Sequence, residues 1–209
     1  MSPRPRDPAL RAGLLARAAK LLAEEGPSAL STRRLARELG VSTAAVYTYF
    51  GSVEQLRYEV RLDGFARLQS RLEPFDSPDD PVAALAGMVV AFFDFGMLLP
   101  HLYRAMFVDR PPEDDDAGAA TFERLKAIVQ HGVEAGRFTA VTATQAELCA
   151  AQVWSMPHGM VTMVLSRAVP ADAAREVLVD MASRMAIGYG DDRHAATQSV
   201  APLTAARRT

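Results

Sequence analysis

The side chains whose types and spacing could do chemistry concentrate in one stretch, TRRLARELGVSTAAVYTYFG, residues 32–51. It combines guanidinium groups at Arg33, Arg34 and Arg37 with hydroxyls at Ser42, Thr43, Tyr47 and Tyr49. Such groups suit phosphate oxygens and base edges rather than bond breaking. Elsewhere the reactive residue types are dispersed. His101, His131, His158 and His194 stand far apart, and there is neither a Gly-rich phosphate loop nor a G-x-S-x-G. Asp114, Asp115 and Asp116 could attract a cation, but beside Pro111 and Pro112 they read as a solvated loop. No metal, no cofactor and no enzymatic activity are expected.

Two short helices crossing at a steep angle would position these groups. Leu35, Leu39, Val41, Val46 and Tyr49 supply apolar contacts at the crossing, and Ala36 is small enough to allow it. Gly40 stands where the turn needs positive φ. Ser42 can cap the second helix, leaving Thr43, Ala44 and Ala45 outward; small or hydroxylic residues there suit a helix entering the major groove. An amphipathic helix precedes the pair, starting at Asp7-Pro8, carrying Leu10, Leu14, Leu15, Ala18, Ala19 and Leu22 at helical spacing, and stopping at Gly26-Pro27. Tight helical corners are common, so the corner alone decides little. The charge distribution adds more: residues 1–50 carry a net +4 and the remainder −6, within an overall −2. A basic head on an acidic body suggests that the head meets phosphate.

The rest reads as helix throughout, with no strand alternation. The expected fold is all-α, about nine helices: a three-helix helix-turn-helix domain over 7–52, a larger helical effector-binding and dimerisation domain over 53–190, and a mobile tail over 191–209. Residues 148–166 carry no charge and approach the length of a bilayer span, but Gln152, Ser155, Pro157, His158 and Thr162 interrupt them, which favours a buried helix. Cys149 is the only cysteine and MSPRPRDPAL lacks a secretory apolar core, so a reducing cytoplasmic setting without a membrane is expected. The helix from Ala143 has two apolar faces, one with Ala151, Trp154, His158, Val161 and Leu165, the other with Cys149, Val153, Met156, Met160 and Met163. Together with Val177, Met181 and Met185 of the last apolar helix, Val161 and Leu165 are candidates for a homodimer seam. Pro157 removes a backbone bond and should kink its helix.

The stretch from Leu10 to Leu56, including VYTYFGSVEQL, resembles the DNA-binding domain of the TetR family of repressors. The resemblance implies that Thr32 and Arg33 approach the backbone or groove edge, that Ser42, Thr43 and Ala44 face bases, and that Tyr47 and Tyr49 hold phosphates. Where family members often carry lysines before the fourth helix, this chain has Gly51, Ser52 and Val53, with Ser52 a weaker substitute. LLPHLYRAMF (98–107) and VWSMPHGMV (153–161) resemble the TetR subgroup named for a Trp-His-Gly motif, here Trp154, His158 and Gly159. The family resemblance implies a site for a small apolar or aromatic effector, with Phe92, Phe95, Tyr103, Phe107, Phe122, Ala151, Trp154 and His158 as candidate lining; by residue type alone the same stripe is ordinary core. The function implied is a repressor of palindromic double-stranded DNA, released by its effector. An activator of the same fold, or a helical ligand carrier with an incidental corner, remain open alternatives.

Overall fold

A computed structural model describes residues 7–76, 79–108 and 118–205. Among the described residues, ten α-helices follow one another without a strand. They are α1 (Pro8–Glu25), α2 (Thr32–Leu39), α3 (Thr43–Phe50), α4 (Val53–Leu72) and α5 (Pro81–Leu98). Then come α6 (Pro100–Phe107), α7 (Ala119–Glu134), α8 (Ala146–Leu165), α9 (Ala171–Gly188) and α10 (Arg193–Ala205). The helices group into two compact units, and the division falls inside α4, after Arg67.

The first unit comprises residues 7–67 and 99–108. Asp7 caps α1 by accepting from the Ala9 amide at 2.9 Å, with Pro8 at the first helical position. Leu14, Ala18, Leu21 and Leu22 of α1 are buried with Leu35, Val46, Phe50, Leu56 and Val60. At Gly64 a Cβ would stand 2.7 Å from Met106 Sδ, so α6 lies hard against α4. The unit therefore extends past the expected boundary at residue 52, because the buried Leu56 and Val60 belong to its core and α6 packs on α1.

In the second unit α5 is the central element, packed against α7, α8, α9 and α10. Its 18 residues are long and apolar enough to cross a bilayer, but 72% of that window is buried within the protein. Polar groups here bridge distant segments. Arg137 places two bonds on Asp191, at 2.6 and 2.8 Å, and one on Asp80 at 3.1 Å, while Asp80 also caps α5 and accepts from Ser199. The Tyr189 hydroxyl donates toward the Cys149 carbonyl and Gln152 Oε1, tying the end of α9 to α8. Helix α8 runs through Pro157 as one element.

The expected tail is corrected here. Residues 193–205 form α10, the tenth helix against about nine expected. Asp192 caps it through the Ala195 amide, Ala196 and Val200 are buried, and Arg175 donates to the Leu203 carbonyl. The acidic loop with Asp114, Asp115 and Asp116 and the pair Arg207-Arg208 lie outside the described residues.

Candidate nucleic-acid interface and ligand recess

The corner of α2 and α3 is built by local rules. Ser31 caps α2, accepting from the Arg34 amide at 3.3 Å. Gly40 ends it in the left-handed region, φ 66° and ψ 29°, with nothing within 4 Å of where a Cβ would stand; conformation, not space, selects glycine. Ser42 caps α3 through the Ala45 amide at 3.1 Å, and Ser52 accepts from the Gln55 amide at 3.0 Å at the start of α4. Val46 and Phe50 then point inward, which turns Thr43, Ala44, Tyr47 and Thr48 out to solvent. Thr48, whose hydroxyl donates to the Ala44 carbonyl, was not singled out in the sequence, although it lies one turn beyond Ala44 on the same face.

The candidate residues differ in how free they are. Thr32 is half-buried at the first position of α2, while Arg33 and Arg37 are exposed and make no ion pair among the described residues. Arg34, counted with them in the sequence, is engaged instead. It donates to Glu25, at 2.5 and 2.8 Å, and to Glu38 at 2.9 Å, and Glu38 also takes a bond from Arg17. Hydrogen bonds from Arg17 and Arg34 hold the Glu38 carboxyl down at about 2. Ser42 and Ser52 use their oxygens as caps, leaving their protons to donate outward. The Tyr49 hydroxyl accepts from the Asp7 amide at 2.9 Å, while Tyr47 is 49% exposed.

The second unit contains a small, half-open apolar recess, lined by Met88, Val89 and Phe92 of α5, Leu125 of α7, and Val153, Trp154 and Pro157 of α8. Trp154 meets Phe92 with centroids 5.3 Å apart and Phe122 at 6.0 Å; His158 rests on both Phe92 and Trp154, at 4.7 and 4.9 Å. Burial pushes the His158 imidazole down to about 4, so it is neutral at pH 7. Phe92, Phe122, Trp154 and His158 are thus brought together. Phe95 is fully buried, with the Arg71 guanidinium 5.9 Å from its ring centre, and is not among the lining residues. Ala151 is exposed and does not line the recess, contrary to expectation, because Cys149, Ala150 and Val153 form the inward side of that turn. Tyr103 and Phe107 belong to the first unit, where Phe107 packs edge-on against Phe65.

The expected dimer residues also divide. Val161 is fully buried within its own unit, which removes it from any seam; Leu165 and Val177 are exposed, and Met181 and Met185 are half-buried.

Residues 14–60 match the profile of bacterial regulatory proteins of the tetR family, and residues 85–186 match that of a tetracyclin repressor-like C-terminal domain. Among solved structures, the TetR family transcriptional regulator PfmR from Thermus thermophilus is 30% identical, with a TM-score of 0.61, over 82% of this chain and 96% of that one. The chain belongs to the TetR family. Within this TetR-type fold it is also similar to a protein of unknown function from Rhodococcus sp. RHA1, at 27% identity and a TM-score of 0.75 over 90% of this chain and 98% of that one. The helix-turn-helix transcriptional regulator Rv0681 of Mycobacterium tuberculosis is 27% identical over 85% of this chain and 80% of its own length. The chain is accordingly a TetR-family transcriptional regulator, with a helix-turn-helix domain and a C-terminal ligand-binding domain.

Proposed function

We propose that this regulator is a cytoplasmic homodimeric repressor that holds palindromic double-stranded DNA and releases it when a small apolar or aromatic molecule occupies the recess. The observation that carries the DNA half is the outward face of α3. Thr43, Ala44, Tyr47 and Thr48 are exposed, as are Arg33 and Arg37 of α2, while α3 is held from behind by Val46 and Phe50. Ser42, Thr43 and Ala44 face bases; Arg33, Tyr47, Tyr49 and the hydroxyl of Ser52 meet the backbone, with Thr32 at the groove edge.

Dimerisation is supported by apolar exposure on α8 and α9: Leu148 at 60%, Met163 at 43%, Val177 at 41% and Leu165 at 39%. Gly159 of the Trp154, His158 and Gly159 motif is exposed there, leaving bare backbone for the approach of another helix. That motif supports membership of the Trp-His-Gly subgroup. The recess supports the effector half, with Phe92 and Trp154 in its wall and neutral His158 beside them favouring an uncharged guest. Its enclosed space is only about 10 Å³, room for little more than a water molecule against the roughly 300–1,000 Å³ of drug-sized sites, so a guest enters only as the lining side chains part.

The test is selection of bound duplexes from a random pool, followed by titration with small aromatic molecules. Recovered sites should contain two half-sites about 34–36 Å apart. A molecule that releases DNA should change the emission of Trp154, the only tryptophan, over the same concentration range. Recovery of no preferred sequence would sink the DNA reading. Release without any emission change would move the effector away from Trp154.

A further inference from the structure

We propose that the recess selects a neutral guest with a hydroxyl group on an apolar body, and that the backbone carbonyl of Val153 accepts the hydroxyl proton. The proposal rests on the effector reading above and names the chemistry of that same site. It begins from Pro157. A proline nitrogen carries no hydrogen, so the helical bond from residue 157 back to the Val153 carbonyl is missing, although α8 continues through it. The carbonyl keeps its acceptor strength when that partner is absent, and leaving it unmet in an apolar interior is costly.

The missing bond falls on the side of α8 that faces the recess. Four residues carry a helix about 40° past one full turn, so positions 153 and 157 share a side. The carbonyl of the first points along the axis toward the second. Val153 and Pro157 are both buried and both line the recess, which puts the oxygen between two wall residues. The hydroxyls nearest in sequence are used elsewhere: Ser155 donates to the Gln152 carbonyl at 2.7 Å and Thr162 to the His158 carbonyl at 2.9 Å. Met88, Val89, Phe92 and Leu125, the wall contributed by α5 and α7, have no side-chain hydrogen to donate. A guest hydroxyl supplies one. An ether or ketone of the same size brings only a second acceptor, and a carboxylate sets its charge against the carbonyl oxygen. Phe92 and Trp154 fit the apolar body, and His158, neutral at pH 7, offers no charge to an anion.

The experiment titrates the full chain with phenol and with toluene, which match in size and differ by a hydroxyl against a methyl group. Calorimetry gives the two affinities, and Trp154 emission reports whether the guest lies in the recess. Pro157→Val restores the amide hydrogen while keeping most of the side-chain bulk. In that variant the ratio of phenol to toluene affinity should fall about fivefold, the size of one neutral hydrogen bond. Toluene should still bind, which shows that the recess is intact, and Pro157→Ala should lower the ratio in the same way. A crystal structure of the wild-type chain with phenol should place the phenol oxygen within about 3 Å of the Val153 carbonyl oxygen. A ratio unchanged in both variants, or a phenol oxygen turned away from Val153, overturns the proposal and leaves the effector reading standing. If the wild-type chain binds neither molecule at Trp154, the recess is not the effector site and the proposal falls with it.

Discussion

The caps of the α2–α3 corner and the polar bonds of the unit that carries the recess span very different lengths of chain. Around α2 and α3 the capping hydroxyls reach amides three residues away: Ser31 to Arg34, Ser42 to Ala45, Ser52 to Gln55. In the second unit Arg137 reaches Asp191 across 54 positions and Asp80 across 57, and Ser199 reaches Asp80 across 119. Local caps fix the ends of a helix and leave its outer face bare, which a reading helix needs. Long-range, part-buried bonds instead occupy polar groups with one another and tie distant segments of the second unit together. Substitutions at the two places should therefore differ in size and in kind.

The largest effects are expected in the second unit. Met181→Arg would put a charge into the apolar face of α9, and in a dimer seam nothing would pair it. Sedimentation should show monomers with a normal helical spectrum, and operator binding should fall sharply; an unchanged dimer would move the seam elsewhere. Arg137→Met leaves the Asp191 side chain, only 2% exposed, without its guanidinium. Removing one partner of a buried pair costs about 3–5 kcal/mol, and the lower end applies because Arg137 keeps 24% of its surface. Urea unfolding measures this. Arg34→Met, at the exposed pair of the first unit, should cost clearly less. Equal losses would erase the distinction.

Acid should separate the two units next. His158 has a folded value of about 4 against an ordinary 6.5, so between these the unfolded chain takes up a proton that the folded chain refuses. Its contribution to stability is complete above about pH 6.5 and is lost as the pH falls toward 4. Glu38 is depressed from 4.5 to about 2 by Arg17 and Arg34, so its contribution is present above 4.5 and lost as the pH falls toward 2. Denaturant midpoints followed against pH should therefore show two windows. His158→Gln should flatten the upper one and Glu38→Gln the lower one. A slope between pH 6.5 and 4 that survives His158→Gln would refute the assignment.

The same contrast explains what could be read in advance. The corner motif, its caps and Gly40 were legible because each depends on neighbours a few residues away. The inward and outward sides of α8 were not. That helix is apolar nearly all round, so periodicity put Val161, which is buried, on one face with Leu165, which is exposed, and made Ala151 a pocket wall. Arg34 looked like a phosphate contact because charge alone does not reveal Glu25 and Glu38 folded beside it. Helix α10 went unseen for both reasons. Its buried residues, Ala196 and Val200, make a weak apolar stripe, and Ser199 finds Asp80 only after the chain has folded.

Smaller effects are expected where α3 meets DNA. Thr43→Ala should change base preference by about 1–3 kcal/mol at the contacted position, without much change in salt dependence. Arg33→Ala should weaken binding to all sequences and lower the salt slope by about one unit. Binding measured over a series of salt concentrations on cognate and altered duplexes distinguishes them. Identical behaviour of the two variants would contradict the separation of base-reading from backbone-holding residues.

The finest comparison concerns the two glycines that best express the contrast. Gly40 has φ 66° and open space around its missing Cβ. Gly190 has φ 103°, and a Cβ there would stand 2.4 Å from the Ala140 amide nitrogen, a backbone atom that cannot swing aside. At Gly40 an added methyl group faces only the left-handed penalty, about 1–2 kcal/mol, and asparagine tolerates that region better. Gly40→Ala should therefore lower stability by about that amount, and Gly40→Asn by less, with the recognition helix still formed. Gly190→Ala should exceed both, since the loop from Thr139 must move as well. Thermal unfolding of the three variants tests the order. A Gly40→Asn loss as large as that of Gly190→Ala would mean that the corner depends on something beyond its own backbone, and the local character of the first unit would fail at the point where it is most clearly expressed.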